Sequence, residues 1–168
     1  KMNLKIKKNE LFKIANKIGF DVPISLEKQN ILLMGKNNSI KRIRKKFNFN
    51  VLIAYPNLVC STETIYKKNK KFSKSQPRLS SHLKNKKKLI DFLINEKNDL
   101  EETASKIYPK IGQIINLIQN QEGCYFSRMT GSGSACIGIF HNMKTAIFTQ
   151  KLIKLKFPNY WTAVSKTM

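Results

Sequence analysis

Three groups of side chains in this chain have the types and spacing that chemistry requires. The first is Asp21, inside Gly19-Phe20-Asp21-Val22-Pro23. A carboxylate just past a helix C-terminus lies near the negative pole of that helix, which makes it a readier acceptor for a hydroxyl proton. The proline predicts an extended Val22, which would hold the carboxylate rigidly. A turn aspartate that bonds its own backbone is the competing reading. The second group is Thr62 with Tyr66, one helical turn apart. Together they present a hydroxyl and an aromatic face on which a base can stack; an exposed helix start is the plain alternative. The third is Met129-Thr130-Gly131-Ser132-Gly133-Ser134-Ala135-Cys136. Gly131 and Gly133 permit positive φ and close approach, and the hydroxyls of Thr130, Ser132 and Ser134 stand beside backbone N–H groups, so this turn can hold an anion or a polar ligand. A tight turn between two strands, small for steric reasons, explains the same residues.

Other candidate chemistry is thin. His82 and His141 have no Cys or Asp partners at ligand spacing, so no metal site is expected from them. Ser132 lacks the Gly-x-Ser-x-Gly elbow of a hydrolase nucleophile. The three cysteines, Cys60, Cys124 and Cys136, have neither metal nor redox spacing and read as reduced thiols of a cytoplasmic protein.

The elements that must position these groups can be read from periodicity. Glu10 to Ile18 is expected as a helix with Leu11, Ile14, Ala15 and Ile18 on one face and Gly19 at its end. Asn30 to Met34 reads as a strand, the basic stretch Ser39 to Lys46 leads on from it, and Val51 to Tyr55 reads as a strand ended by Pro56. Ser61 or Thr62 caps a helix through Tyr66, and the polar Lys67 to Ser81 reads as a long loop. Leu89, Ile90, Leu93 and Ile94 line another helix. Asn98 is expected to cap a third, with Glu101 completing the cap. Pro109 opens a fourth, whose stripe is Ile111, Ile114, Ile115 and Ile118. Strands flank the glycine turn, Asn142 caps a helix to about Leu155, and Tyr160 to Val164 closes as a strand. The fold class expected is α+β, an antiparallel sheet with helices on one face.

At 168 residues and 41% hydrophobic content the chain can build a packed core. No apolar run is long enough to cross a bilayer, so no membrane partner is expected. The formal charge of +22 would suit a polyanion. It is concentrated, however: Lys1 to Ile90 carries 23 basic residues against 4 acidic, and the remainder 9 against 6. Lysine, isoleucine and asparagine, whose codons are A/T-rich, make up 65 of the 168 residues, so base composition alone can raise the charge. No specific nucleic-acid partner is expected, although a basic nucleic-acid-binding module remains an alternative.

Five segments, taken in order, carry a resemblance: Gly19 to Pro23; Pro56-Asn57-Leu58-Val59-Cys60-Ser61-Thr62 with Tyr66; Asn98-Asp99-Leu100-Glu101; Tyr108-Pro109-Lys110-Ile111; and Arg128 to Cys136. In this order and at these separations the chain resembles the GHMP small-molecule kinases. Within that family it is similar to the branch that acts on a cytidine-diphosphate-linked methylerythritol in non-mevalonate isoprenoid precursor synthesis. The resemblance implies a GHMP-kinase-like fold, with residues 1–46 from the amino-terminal domain and 47–168 forming a ferredoxin-like carboxy-terminal domain. It implies ATP, with Mg, as phosphoryl donor. Asp21 would be the catalytic base. Thr62 and Tyr66 would lie at the cytidine, and Gly131, Ser132, Gly133 and Ser134 would close around phosphates and substrate.

Family members also carry an upstream glycine- and serine-rich phosphate loop and a lysine near the amino terminus, and no glycine precedes Gly19 here. Lys36, Asn37 and Asn38 stand where a second glycine and an acidic residue are common. The expectation is a fragment, inactive alone, whose amino-terminal half is encoded separately, or a decaying remnant, in either case with the strand Asn30 to Met34 lacking sheet neighbours. Another GHMP kinase is the alternative within the family.

Overall fold

The computed structural model describes residues 6–19, 21–27, 29–34, 39–43, 46–73 and 85–167. His82, Lys36, Asn37, Asn38 and the greater part of the Lys67 to Ser81 stretch lie outside them. Contacts divide the chain into two compact units, residues 1–46 and Phe47–Thr167.

In the first unit, helix α1 (Lys8–Ile18) leads through Gly19 into a 3-10 turn over Val22–Leu26, and strands β1 (Ile31–Met34) and β2 (Ser39–Arg42) pair antiparallel. Gly19 ends α1 as expected, and two other expectations change here. Val22 is not extended but begins the 3-10 turn, because Pro23 falls in its first positions, where the missing N–H costs nothing. Gly19 ends α1 with φ 179°, extended backbone open to any residue. The basic stretch from Ser39 supplies β2, so β1 does have a neighbour, aligned as Ile31↔Arg42 and Leu33↔Ile40. Arg42 also clamps Glu27 through Nε at 3.1 and 3.2 Å and Nη2 at 2.5 Å. Of the α1 stripe only Ala15 is buried; Leu11, Ile14 and Ile18 stay exposed.

The second unit is built on a four-stranded antiparallel sheet in the order β4-β5-β3-β6, with β3 Asn50–Tyr55, β4 Cys124–Met129, β5 Cys136–Phe140 and β6 Trp161–Lys166. Between β3 and β4 run α2 (Thr62–Lys68), α3 (Lys86–Asn95), α4 (Glu101–Ile107) and α5 (Pro109–Gln119); α6 (Met143–Lys156) joins β5 to β6. Strand alternation puts Leu52, Ala54, Cys136 and Phe140 on one face, in a single core with Ile111, Ile114 and Ile118 of α5 and Ala146 and Ile153 of α6. Each such Leu, Ile or Phe contributes about 1.5–3 kcal/mol by leaving water. Gly138 is what lets α5 approach β5 so closely, since a Cβ there would sit 2.4 Å from Ile118 Cγ2.

The opposite face is covered in part, where α3 packs against β4, so helices are not confined to one face as expected. Phe126 and Ile139 pair in register, point away from the α5 and α6 core, and are both buried. From that face Arg128 donates through Nη2 to the carbonyls of Leu93, at 2.7 Å, and Glu96, at the end of α3. Leu89 and Ile90 of α3 are buried, outside the main core. Among the described residues no helix is long and apolar enough to cross a membrane.

Candidate functional site

The glycine turn, Thr130–Ala135, closes the β4–β5 pair at the sheet end where β3 finishes and β6 begins. Thr130 N–H donates to the Ala135 carbonyl at 2.9 Å, and Gly133 N–H donates to the Thr130 carbonyl at 3.1 Å. Gly131 and Gly133 hold φ of +57° and +98°, the left-handed region that side chains oppose. A Cβ on Gly133 would in addition meet Met129 Sδ at 2.9 Å. Among the described residues the N–H groups of Gly131 and Ser132 have no acceptor. They remain available to an anion or an acceptor oxygen.

Two of the sequence-predicted groups meet here. Ser61 caps α2, its Oγ accepting from Thr64 N–H at 3.2 Å and from the Thr64 hydroxyl at 3.0 Å. This cap sets the first turn of α2 so that Thr62 Oγ1 lies 2.8 Å from Ser132 Oγ, a bond between residues 70 apart in sequence. A second tie joins the same loops, for Ser134 Oγ donates to the Leu58 carbonyl at 2.5 Å. One turn further along α2, Tyr66 is 49% exposed and stacks on Phe72 at 6.4 Å between centroids and 24° between planes. The exposed ring keeps a face for a planar ligand, with a second ring beside it.

Asn98 and Glu101 do not form the expected cap. Helix α4 starts at Glu101, and the Asn98 side chain accepts only from Leu100 N–H, at 3.0 Å. Its amide instead crosses to the turn and donates to the carbonyls of Met129, at 2.9 Å, and Gly131, at 2.8 Å. Glu101 Oε2 accepts from Met129 N–H at 2.7 Å. An amide and a carboxylate three residues apart can serve either purpose, so sequence alone misses this brace. Arg128 stands behind it over the Phe126 ring, 4.7 Å from its centroid. Burial lowers the Arg128 guanidinium from its ordinary value, against the opposing pull of Glu101 and Glu96. Asp99 fixes the neighbouring segment, its carboxylate accepting from Ser73 N–H at 2.7 Å and from the Ser73 hydroxyl at 2.5 Å. Those bonds hold the carboxyl below its usual range. The thiol of Cys60, on the loop leading to Ser61, is pushed up by burial, in part offset by its contact with Ser134.

Asp21 belongs to the first unit. Its side chain makes no capping bond to the 3-10 turn that follows it, while its carbonyl accepts from Ile24 N–H at 3.1 Å. Among the described residues no three His, Cys, Asp or Glu side chains group as a metal site.

Residues 81–158 match the family model described as GHMP kinases C terminal. The chain is 38% identical over 167 residues to the 4-diphosphocytidyl-2-C-methyl-D-erythritol kinase of Pelagibacter ubique, a match covering 98% of this chain and 57% of that protein. By these matches the chain is similar to the GHMP kinases. Kinases of the same name from Wolbachia pipientis wMel and Agrobacterium fabrum are 34% and 28% identical, over 90% and 95% of this chain and 52% and 53% of theirs. The GHMP fold is also what the solved structures share with it. A 4-(cytidine 5'-diphospho)-2C-methyl-D-erythritol kinase superposes with a TM-score of 0.70 at 19% identity, covering 96% of this chain and 58% of that one. A homoserine kinase from Cytophaga hutchinsonii superposes equally well, with a TM-score of 0.70 at 13% identity, over 99% of this chain and 59% of that one. The chain thus spans little more than half the length of the curated relatives it matches.

Proposed function

We propose that this chain supplies the acceptor side of a site transferring the ATP γ-phosphate to the 2-hydroxyl of 4-diphosphocytidyl-2-C-methyl-D-erythritol, in non-mevalonate isoprenoid precursor synthesis. The observation that carries the reading is the Thr62–Ser132 hydroxyl pair, which ties the helix bearing Tyr66 to the glycine turn. In the proposal Tyr66, backed by Phe72, stacks on the cytosine ring. Thr62 and Ser132 orient the substrate, while the free N–H groups of Gly131 and Ser132 donate to phosphate oxygens, with Gly133 and Ser134 shaping the wall. Asp21 takes the proton of the attacking hydroxyl. Residues 1–46 belong to the amino-terminal GHMP domain and 47–168 to the carboxy-terminal one.

The turn's unpartnered donors fit the phosphate end of ATP, which when bound supplies the phosphoryl group. The described residues offer no carboxylate cluster for Mg, and no step here runs through a metal. The chain alone is proposed to bind substrate without turning it over. Even one missing oxyanion-type donor costs roughly 10²- to 10³-fold in rate. A separately supplied amino-terminal half is the partner expected to restore turnover.

Isothermal titration of the chain with the cytidine-diphosphate substrate, alone and mixed with the amino-terminal half of the Pelagibacter ubique kinase, tests this. Saturable binding that Thr62→Ala weakens, with ATP consumed only in the mixture, supports the proposal. Absence of binding and of ATP consumption in both samples removes it.

A further inference from the structure

Helix α6 is packed inside out. Its buried positions are the small or short Ala146, Thr149 and Ile153, all fully buried, while Phe148 is 64% exposed, Leu155 81% and Ile147 40%. An ordinary surface helix turns its large apolar side chains to the core. Here they share the outward face with Lys144, Lys151 and Lys154, all exposed, and that face bears no carboxylate. The positions 144, 147 and 148, 151, then 154 and 155 recur once per turn, forming one stripe about 16 Å long at 1.5 Å per residue.

The chemistry of the stripe selects its occupant. A second copy placed face to face would set lysine against lysine with no carboxylate to neutralise either. A nucleic acid backbone would satisfy the lysines but leave Phe148, Ile147 and Leu155 against phosphate and water. An anionic lipid surface satisfies both sets. The rings and methyls enter the headgroup–acyl boundary, and the lysine stems extend along it to carry their ammonium groups to phosphates. We propose that the outward face of α6 docks on anionic membrane surfaces, lying on the bilayer without crossing it. The interaction is independent of the glycine turn, so it stands or falls separately from the kinase reading.

Sedimentation of the 168-residue chain with phosphatidylglycerol-containing or pure phosphatidylcholine vesicles, at physiological salt, tests it. Binding is expected on the anionic vesicles only. Phe148→Ser with Leu155→Ser should lower the partition coefficient at least about tenfold, because these side chains carry the apolar half of the contact. Lys144→Gln and Lys151→Gln should each lower it about fivefold. The control pair Lys87→Gln and Lys88→Gln, exposed on α3, removes equal charge elsewhere and should leave most of the binding intact. All these positions are exposed, so the variants should keep the wild-type circular dichroism spectrum. No binding at physiological salt overturns the proposal, as does an equal loss in the α3 control, which would mean diffuse polyanion adhesion. Dimerisation in size-exclusion chromatography that Phe148→Ser abolishes also overturns it, by assigning the face to a second copy.

Discussion

Replacing Asn98 by serine separates two uses of one side chain. Serine retains an oxygen that can accept from the start of α4, as a cap would, but it cannot donate to the carbonyls of Met129 and Gly131. If capping were the role, the change would be close to neutral. The geometry says instead that two donated bonds disappear. The bond to Met129 is partly buried and should contribute about 1–1.5 kcal/mol, whereas the exposed bond to Gly131 is replaced by water at a loss of about 0.5 kcal/mol. A total near 2 kcal/mol, divided by a urea slope of about 2 kcal/mol per molar, shifts the unfolding midpoint down by roughly 1 M. Urea titration followed by circular dichroism measures this directly. Substrate affinity should fall by about tenfold if most of that energy is lost in the turn itself. A midpoint shift under about 0.3 M, with affinity unchanged, would refute the brace and return Asn98 to the role of a cap.

Three further outcomes follow from the same coordinates. A double-mutant cycle of Thr62→Val and Ser132→Ala should give a coupling of about 0.5–1.5 kcal/mol in urea unfolding; additive effects would mean the hydroxyl pair is not a bond in solution. Gly138→Ala should cost about 1–3 kcal/mol in thermal unfolding, since its methyl must displace Ile118, 2.4 Å away, and an unchanged melting temperature would contradict the close approach of α5. Burial pushes the thiols of Cys136 up to about 12 and Cys124 up to about 11. Below the unfolded thiol value of about 8.5 both states keep these protons; as pH rises past it, the unfolded chain releases protons that the folded chain retains. Stability should therefore fall between about pH 8.5 and the folded values, with a shallower slope in Cys136→Ala; equal slopes in melting scans would exclude the thiol contribution.

How far the sequence carries depends on whether a residue's role is local. The start of α5 is legible because proline at a first helical position and isoleucines at helical spacing act within the helix itself, and Ile111, Ile114 and Ile118 are indeed buried. The Asn142 cap is legible for the same reason, its Oδ1 accepting from Thr145 N–H at 2.9 Å. Strand β2 is not, since Ser39-Ile40-Lys41-Arg42 has one apolar residue and owes its conformation to β1. The apolar stripe of α3 announces burial but cannot say against which face of the sheet. Asn98 and Glu101 fit a local cap so well that their long-range bonds to the turn are hidden. Within the site, Thr62, Tyr66 and the glycine turn are all named by the sequence. The hydroxyl contact that joins α2 to the turn comes only from the fold.

The central claim is that the turn and the first turn of α2 form one acceptor pocket. Amide chemical shifts of the labelled chain, followed during titration with 4-diphosphocytidyl-2-C-methyl-D-erythritol, test it most directly. The account predicts saturating shifts concentrated at Thr62, Tyr66 and Gly131 to Ser134. Saturating shifts confined instead to the 410 Å³ cavity lined by Lys110, Lys156 and Tyr160 would contradict it.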